Sequence, residues 1–284
     1  FKTENILKFS IVEDPNVMES RVFFIEIKTN PEEPDIVEFI RPIPGVRSID
    51  GIIGHNSLMV KFTVRNQRKF TRVIEQIDSI ITGTRFQHYK IIECLNTFKD
   101  AGKILWSEDT NEPSLERKQD VVLDANDMQI LEILQEADGR LSYEDIFDKL
   151  KYTGSGMFTY SKIRRKVKQL DERGFIYSHT IKFPPEFIPK TDFGVKFYLQ
   201  IIPKQLIEYT SIAIELSHDE NIVELYRTGE EYGLFAVVRT GSIEDYRGFL
   251  KRLYDSGRIY DTISTLVIDE KMAASFKPFK VNNK

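Results

Sequence analysis

Residues 123–176 read LDANDMQILEILQEADGRLSYEDIFDKLKYTGSGMFTYSKIRRKVKQLDERGFI. Three helices and the start of a strand can be read from them. Asp124 suits an N-cap, Asp127 adds negative charge to the first turn, and Ile130, Leu131 and Leu134 follow at helical spacing. Asp138-Gly139 ends this helix. Ser142 then caps a second helix, with Glu144 and Asp145 in its first turn and Ile146, Phe147 and Leu150 on its apolar face. A turn containing Gly154-Ser155-Gly156 leads to a third helix, capped by Thr159 or Ser161.

The third helix carries the chemistry. At about 100° per residue, Ile163, Val167 and Leu170 share one narrow stripe, which must face a core. Ser161, Arg165 and Lys168 fall opposite, flanked by Lys162, Arg164 and Gln169. Two short helices before a basic-fronted third form the pattern of a helix-turn-helix, whose last helix enters the major groove of double-stranded DNA. On this reading Arg165 and Lys168, with Ser161, face the groove, while Lys162, Arg164, Lys166 and Lys149 meet phosphate. Tyr160 packs on the sugar-phosphate edge, and Thr159 starts the helix beside it.

A run of charge is often only a solvated helix face, but its distribution here argues for more. Residues 149–173 hold eight Lys/Arg against two Asp/Glu, a net of +6, whereas the whole chain is −4, which leaves −10 for the remainder. A basic island on an acidic chain is the electrostatic footprint of a nucleic-acid site.

At 284 residues the chain has room for two or three domains, and 41% hydrophobic content is ample for packed cores. No apolar run approaches the length of a membrane span and no signal-peptide pattern opens the sequence, so the expected location is cytoplasmic. The single cysteine, Cys94, excludes an internal disulfide framework and a cysteine zinc site, and its apolar surroundings place it in a buried strand.

Flanking the helical segment are two similar stretches. In the first, strands are expected at 21–29, 45–53, 57–65 and 84–95 and helices at 36–41 and 67–81. In the second, strands are expected at 193–202, 222–228, 234–240 and 259–268, and helices at 203–216 and 242–255. The helix over 203–216 takes Leu206, Ile207, Ile212, Ala213 and Leu216 as candidate core. Both follow the order β-α-β-β-α-β, the ferredoxin-like split unit, so the chain contains an internal repeat. Residues 1–19 read as a strand end and a loop entering the first unit. Residues 96–122 read as a polar linker in which Trp106 docks onto a domain, and 176–183 as one arm of a two-stranded wing.

These features resemble the Lrp/AsnC (leucine-responsive) family of regulators in an archaeal-style elaboration. The resemblance rests on Leu123-Asp124, Asp127, Ile130-Leu131, Asp138-Gly139-Arg140, Ser142, Lys166-Val167, Leu170, Gly174 and Ile176. The family's βαββαβ effector (RAM) domain resembles both flanking units. The implied fold is α+β, a winged helix-turn-helix at 123–183 between ferredoxin-like RAM-type domains at 1–95 and 184–284, with a linker at 96–122. The implied function is a sequence-specific transcriptional regulator that forms a homodimer or higher homo-oligomer through its RAM-like domains. The implied effector is amino-acid-like. Its candidate residues lie in the two hairpins: Gly54, His55 and Ser57 in the first, Gly229, Glu231, Tyr232 and Gly233 in the second. The hairpin glycines also have a plain structural role, since tight turns need positive φ.

The chain departs from the family pattern in three ways. The turn 151–157 is long, the family's hairpin Asp is absent, and an effector unit precedes the helix-turn-helix. The opening ILKFSIVEDP resembles the stretch that follows a helix-turn-helix, so a further DNA-binding domain is expected before Phe1.

No catalytic constellation is legible. His55, His88, His179 and His218 are scattered without metal-ligand spacing, and no phosphate loop or nucleophile elbow is present. The expectation is therefore no metal, no cofactor and no enzymatic activity. Sirohaem decarboxylases resemble the same fold, but that activity would need a basic, His-lined pocket, and the sequence shows no such cluster. A second alternative is a small-molecule-binding or assembly protein whose helix-turn-helix contacts protein.

Overall fold

The computed structural model describes residues 8–12, 15, 20–30, 36–106, 123–136, 141–152, 158–173, 175–176, 178–182, 194–229 and 233–272. In chain order the elements begin with β1 (Lys8–Val12), β2 (Arg21–Ile27), α1 (Val37–Ile40), β3 (Val46–Ile52), β4 (Leu58–Val64), α2 (Gln67–Thr82), β5 (Tyr89–Asp100) and β6 (Lys103–Ile104). Next come α3 (Ala125–Glu136), α4 (Tyr143–Tyr152), α5 (Tyr160–Glu172) and β7 (Ser178–Lys182). The last are β8 (Val195–Pro203), α6 (Tyr209–Ser217), β9 (Ile222–Thr228), β10 (Leu234–Thr240), α7 (Ile243–Asp255) and β11 (Ile259–Met272). They divide into two units. One holds β1 with α3 to β7, and the other holds β2 to β6 with β8 to β11.

The second unit closes on itself. The first repeat has strand order β3-β4-β2-β5 and the second β9-β10-β8-β11, the ferredoxin-like order in each case. The fourth strand of each repeat pairs with the second strand of the other, β5 with β9 and β11 with β3. Together with the β2–β5 pairing, this closes a ring of eight strands in which every neighbouring pair is antiparallel. Closure removes the open sheet edges that would otherwise recruit another chain. The two repeats thus pair with each other inside one chain.

Strand alternation builds three apolar layers here. On β2, Phe23, Ile25 and Ile27 point to the core shared with α1 and α2, while Val22 and Phe24 point into the ring. The equivalent split on β8 sends Phe197, Leu199 and Ile201 to the α6–α7 side and Tyr198 inward. Helix starts are set locally: Asn66 accepts from the Lys69 amide at 2.9 Å and Ser242 from the Asp245 amide at 3.1 Å.

The ring interior also holds charge. Lys61 on β4 sits 2.9 Å from Asp100 on β5 and 3.0 Å from Glu224 on β9, and the Tyr226 hydroxyl reaches both carboxylates. Burial alone would lower the Lys61 pKa, but the two carboxylates outweigh it and raise it. In a second cluster, Asp50 on β3, fully buried, accepts from Lys196 at 2.6 Å and from the Tyr198 hydroxyl. Each repeat thereby supplies charges that the other neutralises. Beside them, Arg239 holds Glu270 at 2.6 Å. Burial would raise the Glu270 carboxyl, yet Arg239 and Lys196 bring it below its ordinary value. A depressed carboxylate contributes stability that is present above its unfolded-state pKa and lost as pH falls through the folded one. Acid unfolding of Arg239→Gln is therefore expected to begin at higher pH than in the parent chain, as followed by circular dichroism.

Several boundaries differ from the sequence reading. β1 belongs with the helical unit: it pairs antiparallel with β7, so the wing is made from strands far apart in sequence rather than from one hairpin. β5 continues to Asp100 and turns back as β6, because Thr97, Phe98 and Lys99 are buried against the second repeat. The linker stretch that remains, 107–122, lies outside the described residues. Trp106 docks as expected: its ring centre is 4.6 Å from that of Phe98, and its indole N–H donates to the Thr97 carbonyl at 2.9 Å. The helix expected over 203–216 starts as a 3₁₀ turn at Leu206–Glu208, which leaves Ile207 89% exposed instead of in the core. Cys94 is half-buried, not fully buried.

Gly194, just before β8, has φ +64°, and a Cβ there would lie 1.7 Å from the Thr240 carbonyl oxygen. Gly194→Ala is expected to cost at least about 1 kcal/mol, measurable as a lower melting temperature.

Candidate nucleic-acid interface

The helical unit is capped as its sequence suggests. Asp124 accepts from the Asp127 amide at 2.8 Å, and the Asp127 carboxylate returns the bond to the Asp124 amide at 3.1 Å. Ser142 and Asp145 repeat the reciprocal arrangement at the start of α4. At α5 the choice falls on Thr159, whose hydroxyl accepts from the Lys162 amide at 3.3 Å, so Ser161 lies inside the helix. Thr159→Ala is expected to destabilise this unit by about 1 kcal/mol.

Behind α5, Ile163 and Leu170 are buried with Ile130, Leu131, Ile146 and Leu150, and Val167 packs against them. In front, Ser161, Arg164, Arg165 and Lys168 are exposed, as is Lys149 on α4. Among the described residues Lys168 makes an exposed pair with Glu172 at 3.2 Å, which is weak enough to open to a phosphate. The Lys162 ammonium stands 5.5 Å from the centre of the Phe158 ring. Tyr160 meets Tyr143 edge to face, with ring centres 5.9 Å apart, which ties the start of α5 to the start of α4.

Lys166 is a correction to the set read from sequence. Its ammonium is held by Asp124 at 2.8 Å and Asp127 at 2.6 Å, and its side chain is only 12% exposed. Burial would lower its pKa, but the two carboxylates outweigh this and raise it. Lys166 ties α5 to the start of α3 and is not presented for phosphate contact. At −60° from Ile163 it borders the apolar stripe, which is the signal that separates it from its neighbours.

The effector hairpins are placed as follows. The Ser57 hydroxyl accepts from the Thr29 amide at 3.2 Å, which fixes the β3–β4 hairpin against the end of β2. Gly54 has open space around it, and His55 is exposed at the tip. His88, which the sequence reading left among scattered histidines, stands beside His55 with ring centres 6.4 Å apart. In the second hairpin, Gly229 approaches Leu95 of the first repeat, and Gly233 takes φ +68° with its Cα against the Tyr209 ring. Arg227 covers that ring at 3.5 Å. Glu231 and Tyr232 lie outside the described residues, as does the turn 153–157. Among the described residues, no group of three or more His, Cys, Asp or Glu is arranged to hold a metal ion, and no helix is long and apolar enough to cross a membrane.

The geometry defines a winged helix-turn-helix joined to a two-repeat ferredoxin-like barrel. Comparison with known proteins gives four findings. Residues 128–181 match the family described as the ribonuclease R winged-helix domain. The HTH-type transcriptional regulator FL11 of Pyrococcus furiosus is 27% identical over 159 residues, covering 56% of this chain and 98% of that protein. Among solved structures, the siroheme decarboxylase NirDL, determined with an iron-uroporphyrin III analogue, superposes with a TM-score of 0.65 at 11% identity, covering 96% of this chain and 79% of that one. AsnC of E. coli aligns over 56% of this chain at 23% identity with a TM-score of 0.46. The likeness to helix-turn-helix regulators thus spans just over half the chain, and the likeness to NirDL spans nearly all of it.

The NirDL match corrects the expectation that the chain is not an enzyme. An enzyme uses this whole architecture, so the fold gives no ground for excluding catalysis.

Proposed function

We propose that the chain is a DNA-binding transcriptional regulator of the Lrp/AsnC type, in which α5 enters the major groove. The observation that carries this is the division of α5 into a buried back, Ile163 and Leu170, and an exposed front, Ser161, Arg164, Arg165 and Lys168. The name of the Pyrococcus relative supports it. Arg165 and Lys168, with Ser161, are the groove contacts. Arg164, Lys162 and Lys149 meet phosphate, and Tyr160 lies against the backbone. The barrel unit carries the effector site and the surface through which chains assemble, and the protein works in the cytoplasm, where its DNA is. Arg165→Ala is expected to cost about 1–3 kcal/mol on a specific duplex and to relax sequence preference. Lys162→Ala is expected to weaken all sequences alike and to reduce the salt slope by about 1. Fluorescence anisotropy on specific and random duplexes separates the two. Equal losses on both duplexes for Arg165→Ala would refute its assignment.

A second reading is favoured by the extent of the NirDL likeness, which covers both repeats as well as the helical segment. On it, the barrel unit acts on an iron-bearing, carboxylated tetrapyrrole. Release of CO₂ from such a substrate by the purified chain is the test, and its absence would count against the enzyme.

A further inference from the structure

Lys166 lies in the middle of α5, and its ammonium is gripped by two carboxylates of the α3 start, Asp124 and Asp127. Each carboxylate divides its oxygens. Asp124 turns Oδ1 to the Asp127 amide and Oδ2 to Lys166. Asp127 turns Oδ2 to the Asp124 amide and Oδ1 to Lys166. All four oxygens are engaged, so the cap of α3 and the flank of α5 form one hydrogen-bonded network. Burial would raise the Asp124 carboxyl, but Lys166 and the α3 amides outweigh it and hold the carboxyl below its ordinary value. The Asp127 and Lys166 side chains are 13% and 12% exposed, so the tie between them is shielded from salt.

The apolar back of α5 does not by itself fix where its front is aimed. Burial of Ile163, Val167 and Leu170 is non-directional, and helix pairs packed in this way scatter in orientation by about 15–20°. A roll of about 20° carries atoms at the outer radius of a helix, roughly 5–6 Å, through about 2 Å. Hydrogen bonds tolerate a spread of only about 0.5 Å. Lys166 supplies the missing constraint. It borders the apolar stripe and ties that flank to α3, while Tyr160 meets Tyr143 at the start of α4. Held at two points by two different helices, α5 cannot roll.

We propose that Lys166, Asp124 and Asp127 are positioning residues for sequence readout: they fix the rotation of α5 so that Ser161, Arg165 and Lys168 meet base edges, without touching DNA themselves. This deepens the DNA-binding reading above and rests on it. The network governs discrimination between sequences more than affinity for DNA as such. Arg117, Lys118 and Asp120, which precede the cluster, lie outside the described residues and are common to all the chains compared below.

Asp124→Asn with Asp127→Asn separates the tie from the cap, because asparagine keeps an oxygen to accept each cap amide but carries no charge. The full parent chain is used to select from a pool of random duplexes. The most enriched duplex and a scrambled version of it are then titrated by anisotropy. The Asn pair is expected to bind the scrambled duplex as tightly as the parent or more tightly, since two negative charges are gone. It should bind the selected duplex about tenfold more weakly. Lys166→Met should lower the ratio between the two duplexes by the same factor, and adding it to the Asn pair should lower that ratio no further. Circular dichroism melts verify the fold of each chain, and the Asn pair carries the test should Lys166→Met not fold. An unchanged ratio in the Asn pair, equal losses on both duplexes, or losses that multiply in the combined chain would each overturn the positioning role and leave the DNA-binding reading standing. Enrichment of no duplex by the parent chain would overturn that reading and this inference with it.

Discussion

Reversing two charges on α5, as Arg164→Glu with Arg165→Glu, is expected to weaken DNA binding roughly a thousandfold, or about 4 kcal/mol. Both side chains are exposed on the front of the helix, while the packing behind it runs through Ile163 and Leu170. The substitutions therefore remove a phosphate contact and a base contact and add two repulsions, but leave the core of the helical unit intact. The melting temperature should stay within about 0.5 kcal/mol of the parent in stability terms. Anisotropy titrations at two salt concentrations check this. A loss confined to low salt would show that the two arginines act only as part of a diffuse field.

Lys61→Met is expected to destabilise the barrel unit by about 3–5 kcal/mol. The Lys61 side chain is 7% exposed, and its two partners, Asp100 and Glu224, are 19% and 14% exposed. Removing the cation leaves two carboxylates facing one another inside the ring, with only the Tyr226 hydroxyl between them. The cost is that of stranded charge and not of a lost pair. Combining Lys61→Met with Asp100→Asn and Glu224→Gln should therefore recover most of the stability. Because Lys61 and Asp100 come from the first repeat and Glu224 from the second, the same variant should loosen the closure between repeats. Denaturant melts of the three chains test the sign and the recovery together.

What the sequence revealed and what it hid divide along the range of the interactions. The helical unit was legible because its signals are local: Asp124 and Ser142 cap within three residues, and Ile163, Val167 and Leu170 repeat at helical spacing. The hairpins were legible for the same reason, as was the repeated βαββαβ order. Ring closure was not, because it depends on the pairing of β5 with β9 and of β11 with β3, and each strand's own pattern is compatible with an open sheet. Nor was the role of β1, whose partner β7 lies across the whole first repeat. At the site itself, α5's basic front was readable from angles alone, but the Lys166 bridge to Asp124 and Asp127 needs the approach of α3. His55 and His88 meet only because two neighbours of β2 deliver them to the same end of a sheet. A list of histidines by spacing cannot show that; the exclusion of an enzyme failed for a different reason, the likeness of the whole fold to NirDL.

The most direct test of α5 as a DNA reader is to incubate the full chain with fragmented genomic DNA and sequence the fragments it retains. The expected result is a discrete set of duplex sites sharing a motif, enriched over input and lost in the Arg164→Glu, Arg165→Glu chain. Retention of no duplex above input, or the same set retained by that variant, would contradict the assignment.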